Sequence, residues 1–599
     1  MPGAVIDSRR SPPRGRHQAR ELARGWRSVA LGALLALLAT PAAAKYDIEI
    51  DAPRALKKLL ERHLDLARFA KREDVTDDQF DFLVTATPQQ VRDLAATDGY
   101  FSPVVRTDVR RAGEQKRVTV HVDPGPRTTV SSVDLTFEGP VLTEEPARQN
   151  ATRFAFPMHV GDPFTEEAWS GAKEAALKQL QARRYLGAKI VHSEARIDPR
   201  KRQAVLSVAF DSGPTFTLGP LDVSGVRRYP GEIATNVNPL GVGEVYSAER
   251  IAELQRQLQN TPYYASVAID VDSDVAKPRE TPVHVKVSEY PYNSVRGGVG
   301  YATDTGAHVQ GSYTYLDTFG AAWPFSIQGR LDQIQQYGQV QLSMPPGARG
   351  WVNSALASYT NTQVASTRIY SARVGVQRAR TAQFIDHTYS IQYYSDRLDQ
   401  NAGRPTVSHA LMPQWAWTRR NVDDPLFPRS GNLLHVEAGF AIKGALTDET
   451  FIRGYGRGEQ YLPFGKRDLL LLRGELGGVF TGASSSGIPA SLLFRAGGSN
   501  SVRGYSFQSI GNTVDGSVLP TKYLVTATTE YQHWFSHDWG AAVFYDIGTA
   551  TDAWHERVFY QGVGLGARWR SPVGPVNVDL AYGLRNKSVR PYLTLGVAF

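Results

Sequence analysis

The chain of 599 residues contains no cysteine, which excludes disulfide cross-links and thiolate-held metals. Beyond residue 44 it has no run of the ~18 apolar residues that a membrane-crossing helix requires. It has no G-x-x-x-x-G-K-[ST] loop, no H-E-x-x-H and no G-x-S-x-G. The nucleotide cradle, the zinc-protease helix and the hydrolase nucleophile elbow are therefore all missing. The thirteen histidines are scattered, and an isolated one such as His435 reads as a polar lining residue rather than a ligand. The expectation is a protein that is not an enzyme and needs no cofactor or metal. Any work it does on another molecule must draw on that molecule's own folding and on its surroundings.

A basic excess is also scarcer than the formal net charge of +8 suggests. Residues 1–44 hold seven arginines against two acids, a net of +5, which leaves about +3 for the remainder. No basic stripe is left that would argue for nucleic acid. The arginine-rich stretch ends at Arg27, the apolar run Val29–Ala39 follows, and Ala42-Ala43-Ala44 supplies an A-x-A site before Lys45. Residues 1–44 thus read as an export signal rather than an anchor, because the apolar run is too short to span.

What is present begins with a degenerate repeat over residues 46–289. Each copy reads as a strand, two helices and two strands. The second helix ends at an aromatic turn, with Tyr100, Tyr185 and Tyr263 in equivalent places. Each copy closes on an apolar strand, through Val118/Val120/Val122, then Val205 to Phe210, then Val283/Val285/Val287. Thr165 and Ser247 suit N-caps of the second helices in copies two and three. Leu56, Leu59, Leu60 and Leu64 form one apolar helical face in copy one. The exposed sheet edges of such units could accept an extended peptide as an added strand.

From about Asn293 the texture changes to segments of roughly ten alternating residues separated by turn residues. In one, Leu434, Val436, Ala438, Phe440 and Ile442 share a face opposite His435 and Glu437. Near the end, Val576, Val578, Leu580 and Tyr582 oppose Asn577, Asp579 and Ala581. Sixteen such segments fit residues 290–599, as expected for an antiparallel transmembrane barrel. The one outsized connection, about 481–521, contains Val502-Arg503-Gly504-Tyr505.

An export signal, repeated βααββ units, a barrel texture, this V-R-G-Y loop and a terminal Phe599 resemble the BamA superfamily of outer-membrane assembly and secretion proteins. Phe544-Tyr545-Asp546-Ile547-Gly548 is similar to that family's F-x-D-x-G strand, and Gly564-Leu565-Gly566-Ala567-Arg568 to its G-x-G-x-R strand. The resemblance implies an α+β region of three POTRA domains (45–125, 126–213 and 214–289) followed by an all-β, 16-stranded barrel over 290–599. Three such domains are most similar to the TamA-like branch. That implies an outer-membrane location with periplasmic POTRA domains, help in assembling outer-membrane barrels and autotransporters, and a TamB-like inner-membrane-anchored partner. A secretion pore of the two-partner type and lipid transport are the alternatives. The resemblance also implies that the loop 481–521 folds into the lumen. Arg503 cannot shed its charge there, so a carboxylate must face it. Asp546 is the expected direct partner and Glu530 lies nearby, while Gly504 approaches the wall and Tyr505 packs beside the pair. A lateral seam is expected between the first and last strands, where Gly297, Gly298, Gly300, Pro591 and Gly596 weaken pairing.

Overall fold

The computed structural model describes residues 46–72, 74–112, 115–400, 403–572 and 574–598. The expected export signal and Phe599 lie outside the described residues. The chain forms two compact units, 1–214 and 215–599.

The first unit carries two three-stranded sheets of identical order. In each, the last strand in sequence lies in the middle, parallel to the first and antiparallel to the second. Gln115–Asp123 is flanked in this way by Tyr46–Asp51 and Val104–Ala112. Gln203–Asp211 is flanked by Thr129–Glu138 and Lys189–Asp198. Central position explains the alternation: Val118, Val120 and Val122 bury one face against Leu56 and Leu60, each worth ~1.5–3 kcal/mol when fully covered. In the second sheet the buried set is Ala204, Leu206, Val208 and Phe210, whereas Val205 points outward. The expected two helices become three in each of these copies. The first has Arg54–His63, Asp65–Phe69 and Asp77–Thr97; the second has Val141–Glu144, Pro146–Ala155 and Glu166–Gln181. The short extra helices follow from breaks in the backbone: Leu64 is extended and ends the first helix while its side chain stays on the apolar face, and Pro146 opens a new helix after non-helical Glu145. Thr165 accepts from Ala168 N at 3.1 Å. Thr76 and Gln79 form a capping box that starts the longest helix.

The second unit opens with a third sheet of the same order, Leu218–Ser224, Thr281–Glu289 and Tyr264–Val271. Its two helices are Glu232–Asn236 and Ala248–Gln259. Ser247 occupies the N-cap position of the second but makes no side-chain capping bond. Among the described residues, sixteen strands then close an antiparallel barrel from Asn293–Ala302 to Ser588–Ala598. The strands run from 9 to 17 residues, and the longest exceed the ~9–11 residues that cross a bilayer. Outward residues are apolar: Val436, Phe440, Val578 and Leu580 are exposed, while Asp579 and Ala581 are buried. His435 Nε2 lies 3.0 Å from Glu437 Oε1 and Arg453 Nη1 donates to Glu437 Oε2 at 2.6 Å, all on the inner face.

The third sheet is fastened to the barrel by Tyr263 of the aromatic turn and by Tyr229 and Asn236 at its first helix. Tyr263 is fully buried and donates to the Ala322 carbonyl at 2.8 Å, in the turn after the second barrel strand. Burial raises its phenol pKa, so the proton stays available for that bond. Tyr229 packs against both Tyr263 and Tyr292, and Asn236 Nδ2 donates to the Pro346 carbonyl at 3.0 Å. Tyr263→Phe strands a buried carbonyl and should cost about 1–3 kcal/mol. In limited proteolysis, this variant is expected to be cut faster at 289–293 while the barrel stays intact; an unchanged rate would show that the hydroxyl carries none of the docking.

Candidate functional site: the lumen loop and the barrel seam

The connection between the eleventh strand (Asp468–Phe480) and the twelfth (Tyr523–Trp534) runs inside the barrel. Ile488, Leu492, Phe494, Ala496, Val502, Tyr505 and Ile510 bury against inward residues such as Tyr394, Met412 and Leu524. Phe494 stacks on Tyr455 at 6.0 Å, and Ser491 N donates to Asp396 Oδ2 at 2.7 Å. A small hairpin, Asn512–Val514 with Ser517–Leu519, lies within the same connection.

At the tip, Arg503 is 4% exposed. Its Nε donates to Asp546 Oδ2 at 2.8 Å and its Nη2 to Asp546 Oδ1 at 3.1 Å, a two-pronged pair. Its own backbone N–H reaches Asp546 Oδ2 at 3.0 Å. Glu530 is a direct partner rather than a neighbour, accepting from Nη1 at 2.8 Å. Asp579, which the sequence marked only as inward-facing, accepts from the same nitrogen at 3.1 Å. Arg568 completes the cluster through Glu530 at 2.8 Å and Asp579 at 2.6 Å. Two cations thus meet three carboxylates, contributed by the loop tip and four consecutive strands, the twelfth to the fifteenth (Tyr523–Trp534, Trp539–Thr551, Tyr560–Ser571 and Gly574–Gly583). Period-2 alternation explains the convergence, because every one of these strand residues falls on the inner face. The Arg503 guanidinium also lies 3.3 Å over the Phe544 ring, where the ring's negative face attracts it.

The strand glycines make room for this insertion. A Cβ on Gly548 would meet Val502 Cγ2 at 2.7 Å. One on Gly564 would strike the Phe544 ring, and one on Gly566 would strike Asp579. Gly504 has φ +96°, and a Cβ there would lie 2.7 Å from Gly583 N, so both conformation and space call for glycine. Tyr505 packs edge-on against Tyr560. Its hydroxyl donates to the Gln561 carbonyl at 3.1 Å.

Among the described residues, the seam joins Asn293–Ala302 to Ser588–Ala598 through five residue pairs, from Gly298↔Ala598 to Ala302↔Thr594. The first strand makes ten pairs with its other neighbour. Among the described residues, Asn293 to Arg296 are paired on one side only. Gly298, Gly300 and Gly596 lie in the seam ladder, with Gly300 opposite Gly596. Pro591 does not: it faces Leu580 on the strand before. Gly297 pairs with Gly311 on its other side, and the position opposite it across the seam, Phe599, lies outside the described residues. The stagger of the two strands moves Pro591 outside the short overlap. The lumen loop touches both sides of this seam. Gly504 N donates to the Tyr592 hydroxyl at 2.9 Å, which donates to the Tyr505 carbonyl at 2.8 Å. Ser499 N donates to Asp304 Oδ2 at 2.6 Å, just beyond the first strand.

Residues 317–593 match the Omp85 superfamily domain. That match runs from the end of the second barrel strand into the last. The assembly factor BamA of Nitratidesulfovibrio vulgaris is 23% identical over 397 residues, 60% of this chain and 47% of that protein. BamA of Neisseria meningitidis serogroup B is 19% identical over 462 residues, 71% of this chain and 56% of its own length. The chain therefore spans about half the length of the curated relatives it matches. A crystal structure of Haemophilus ducreyi BamA lacking POTRA domains 1–3 superposes with a TM-score of 0.56 at 15% identity, covering 79% of this chain and 100% of that one. The Omp85-type barrel lies in the outer membrane of a Gram-negative envelope, with the POTRA-like α/β units in the periplasm.

Arg503→Ala leaves Asp546, fully buried, without its cation, and the expected loss is about 3–5 kcal/mol. Lysine should restore little of it, since an ammonium cannot reproduce the planar fork. Heat-modified gel migration should show both variants melting earlier, and a cycle with Asp546→Ala should show strong coupling; additive effects would contradict a shared pair. At the seam, a Cβ on Gly300 would lie 2.9 Å from the Leu595 carbonyl and collide with His308. Gly300→Val should therefore lower the temperature of barrel opening more than Gly297→Val, since among the described residues a Cβ added at Gly297 meets nothing within 4 Å.

Proposed function

We propose that this protein is the outer-membrane subunit of a translocation and assembly module, and that it inserts outer-membrane barrel proteins and autotransporters at the seam between its first and last strands. The observation that carries the reading is the seam itself: among the described residues, five pairs and an edge at Asn293–Arg296 paired on one side, with a lumen loop bonded to both flanks. A strand edge with unmet N–H and C=O groups is a template for an incoming strand, and main-chain pairing ignores client sequence. The loop fixes the two flanks relative to one another, and Val502, Arg503, Gly504 and Tyr505 act as its lock with Glu530 and Asp546. The loop's packing in the lumen weighs against a permanently open secretion pore.

The three α/β units, at 45–125, 126–213 and 214–289, are proposed to be POTRA domains that receive clients and a TamB-like inner-membrane-anchored partner. The third, held by Tyr263 and Asn236, carries that docking to the barrel rim. Envelope phospholipid transport with the same partner is a second use of the same seam, since an opening edge exposes the lumen wall to lipid.

Because the chain is free of cysteine, one engineered pair reports cleanly. Tyr301→Cys with Leu595→Cys places the two thiols on Cα-paired positions across the seam. Oxidation should halt client assembly in reconstituted vesicles, and reductant should restore it. Undiminished assembly by the crosslinked protein would rule out the seam as the insertion site.

A further inference from the structure

The wall on the far side of the barrel from the seam carries a feature that strand insertion does not use. An outward-facing groove of about 950 Å³ crosses the third to tenth strands, at the upper end of the ~300–1,000 Å³ typical of ligand pockets. Its floor is low because small residues stand between large ones: Ala355 lies between Leu342 and Val376 in one cross-strand row, and Ala438 follows Trp415 in the next. The lining is almost wholly carbon and opens toward the hydrocarbon of the bilayer.

One end of the groove is different. Arg378 lines it, directly paired across the strands with Asn353 and Tyr389. Its guanidinium sits 5.1 Å over the Trp351 ring, and Trp351 packs 6.0 Å from Tyr389. Arg380, two residues on, shares the outward face of the same strand. This end is periplasmic, because the adjoining turns touch the third α/β unit. Pro346 accepts from Asn236, and Arg256 lies over Phe384. The acid on the neighbouring strand, Asp386, is taken by Arg420 and by Thr381. Among the described residues, Arg378 and Arg380 make no ion pair. A membrane-facing cation at headgroup depth, with an aromatic platform below it and an apolar trough above it, matches one class of molecule: an anionic head joined to an acyl chain.

We infer that this groove binds one phospholipid of the periplasmic leaflet, with an acyl chain along Ala355, Pro413 and Ala438 and the phosphate on Arg378 and Arg380. A lipid held there grips the barrel opposite its weakest wall and would fix the depth at which the seam meets the bilayer.

The test uses the full-length protein in detergent, observed by native mass spectrometry. The probes are dioleoyl phosphatidylglycerol, dioleoylglycerol and inorganic phosphate. The parent should retain one phosphatidylglycerol, and neither dioleoylglycerol nor phosphate should compete with it. Arg378→Gln with Arg380→Gln should weaken retention on the order of tenfold, and Ala355→Phe with Ala438→Phe, which fills the trough, should abolish it. Both pairs face outward, so heat-modified migration should match the parent and show that folding is intact. Equal retention by all three proteins would mark the lipid as a nonspecific shell, and displacement by phosphate alone would reduce the site to an anion patch. Either result overturns the inference.

Discussion

A guanidinium enclosed in a filled lumen has lost its water and cannot lose its proton, so the surrounding wall must supply the charges that water no longer does. Arg503 meets that demand with Asp546, Glu530 and Asp579, and the neighbouring wall is built to suit. Three carboxylates from three strands can converge on one cation only if those strands hold their register. Arg568 is then required to keep the acids from repelling each other. The glycines of the same strands follow from the same constraint, since any side chain at Gly564 or Gly566 would occupy the space that the cluster fills. Registration of four strands, entry of a long loop and the composition of the wall are therefore one problem with one solution.

Much of this was legible in the sequence because the two relevant periods are simple. Alternating segments and turn spacing gave the count of sixteen strands that the structure shows, and Asp546 and Glu530, expected at the loop from the resemblance, lie buried on the inner face. The neutralising role of a carboxylate followed from the chemistry of arginine, once the resemblance had placed the loop inside. Asp579 was visible as an inward acid but not as a partner, because alternation gives the face of a residue and not its height. Height depends on barrel stagger, which no single strand encodes. The same blindness explains Pro591, which sits in the right strand but outside the overlap. The short helices of the first two α/β units were hidden for another reason: a five-residue helix contains too little of a 3.6-residue period to be seen. Ser247 has the right residue type for a cap, but residue type does not fix the rotamer, and its hydroxyl makes no bond to the helix end.

The three α/β sheets show how a weak sequence repeat can encode one topology. The closing strand of each is the most apolar because it is the central one, shielded on both edges. The flanking strands can vary freely at their outer edges. The third sheet departs from pure repetition where it meets the barrel, and there the aromatic turn gains a function that its counterparts lack, with Tyr263 reaching the Ala322 carbonyl.

The tie between Ser499 and Asp304 joins residues 195 positions apart, and the one between Leu593 and Thr303 joins residues 290 apart. Contacts of such sequence separation form slowly, because the intervening chain must be ordered before they contribute anything. Neighbouring hairpins, by contrast, can zip locally. During its own biogenesis the molecule must therefore pass through a stage in which the pairings between consecutive strands exist and the ring is still open. On these grounds its last act of folding is the closure of an edge, at the joint between the first and last strands.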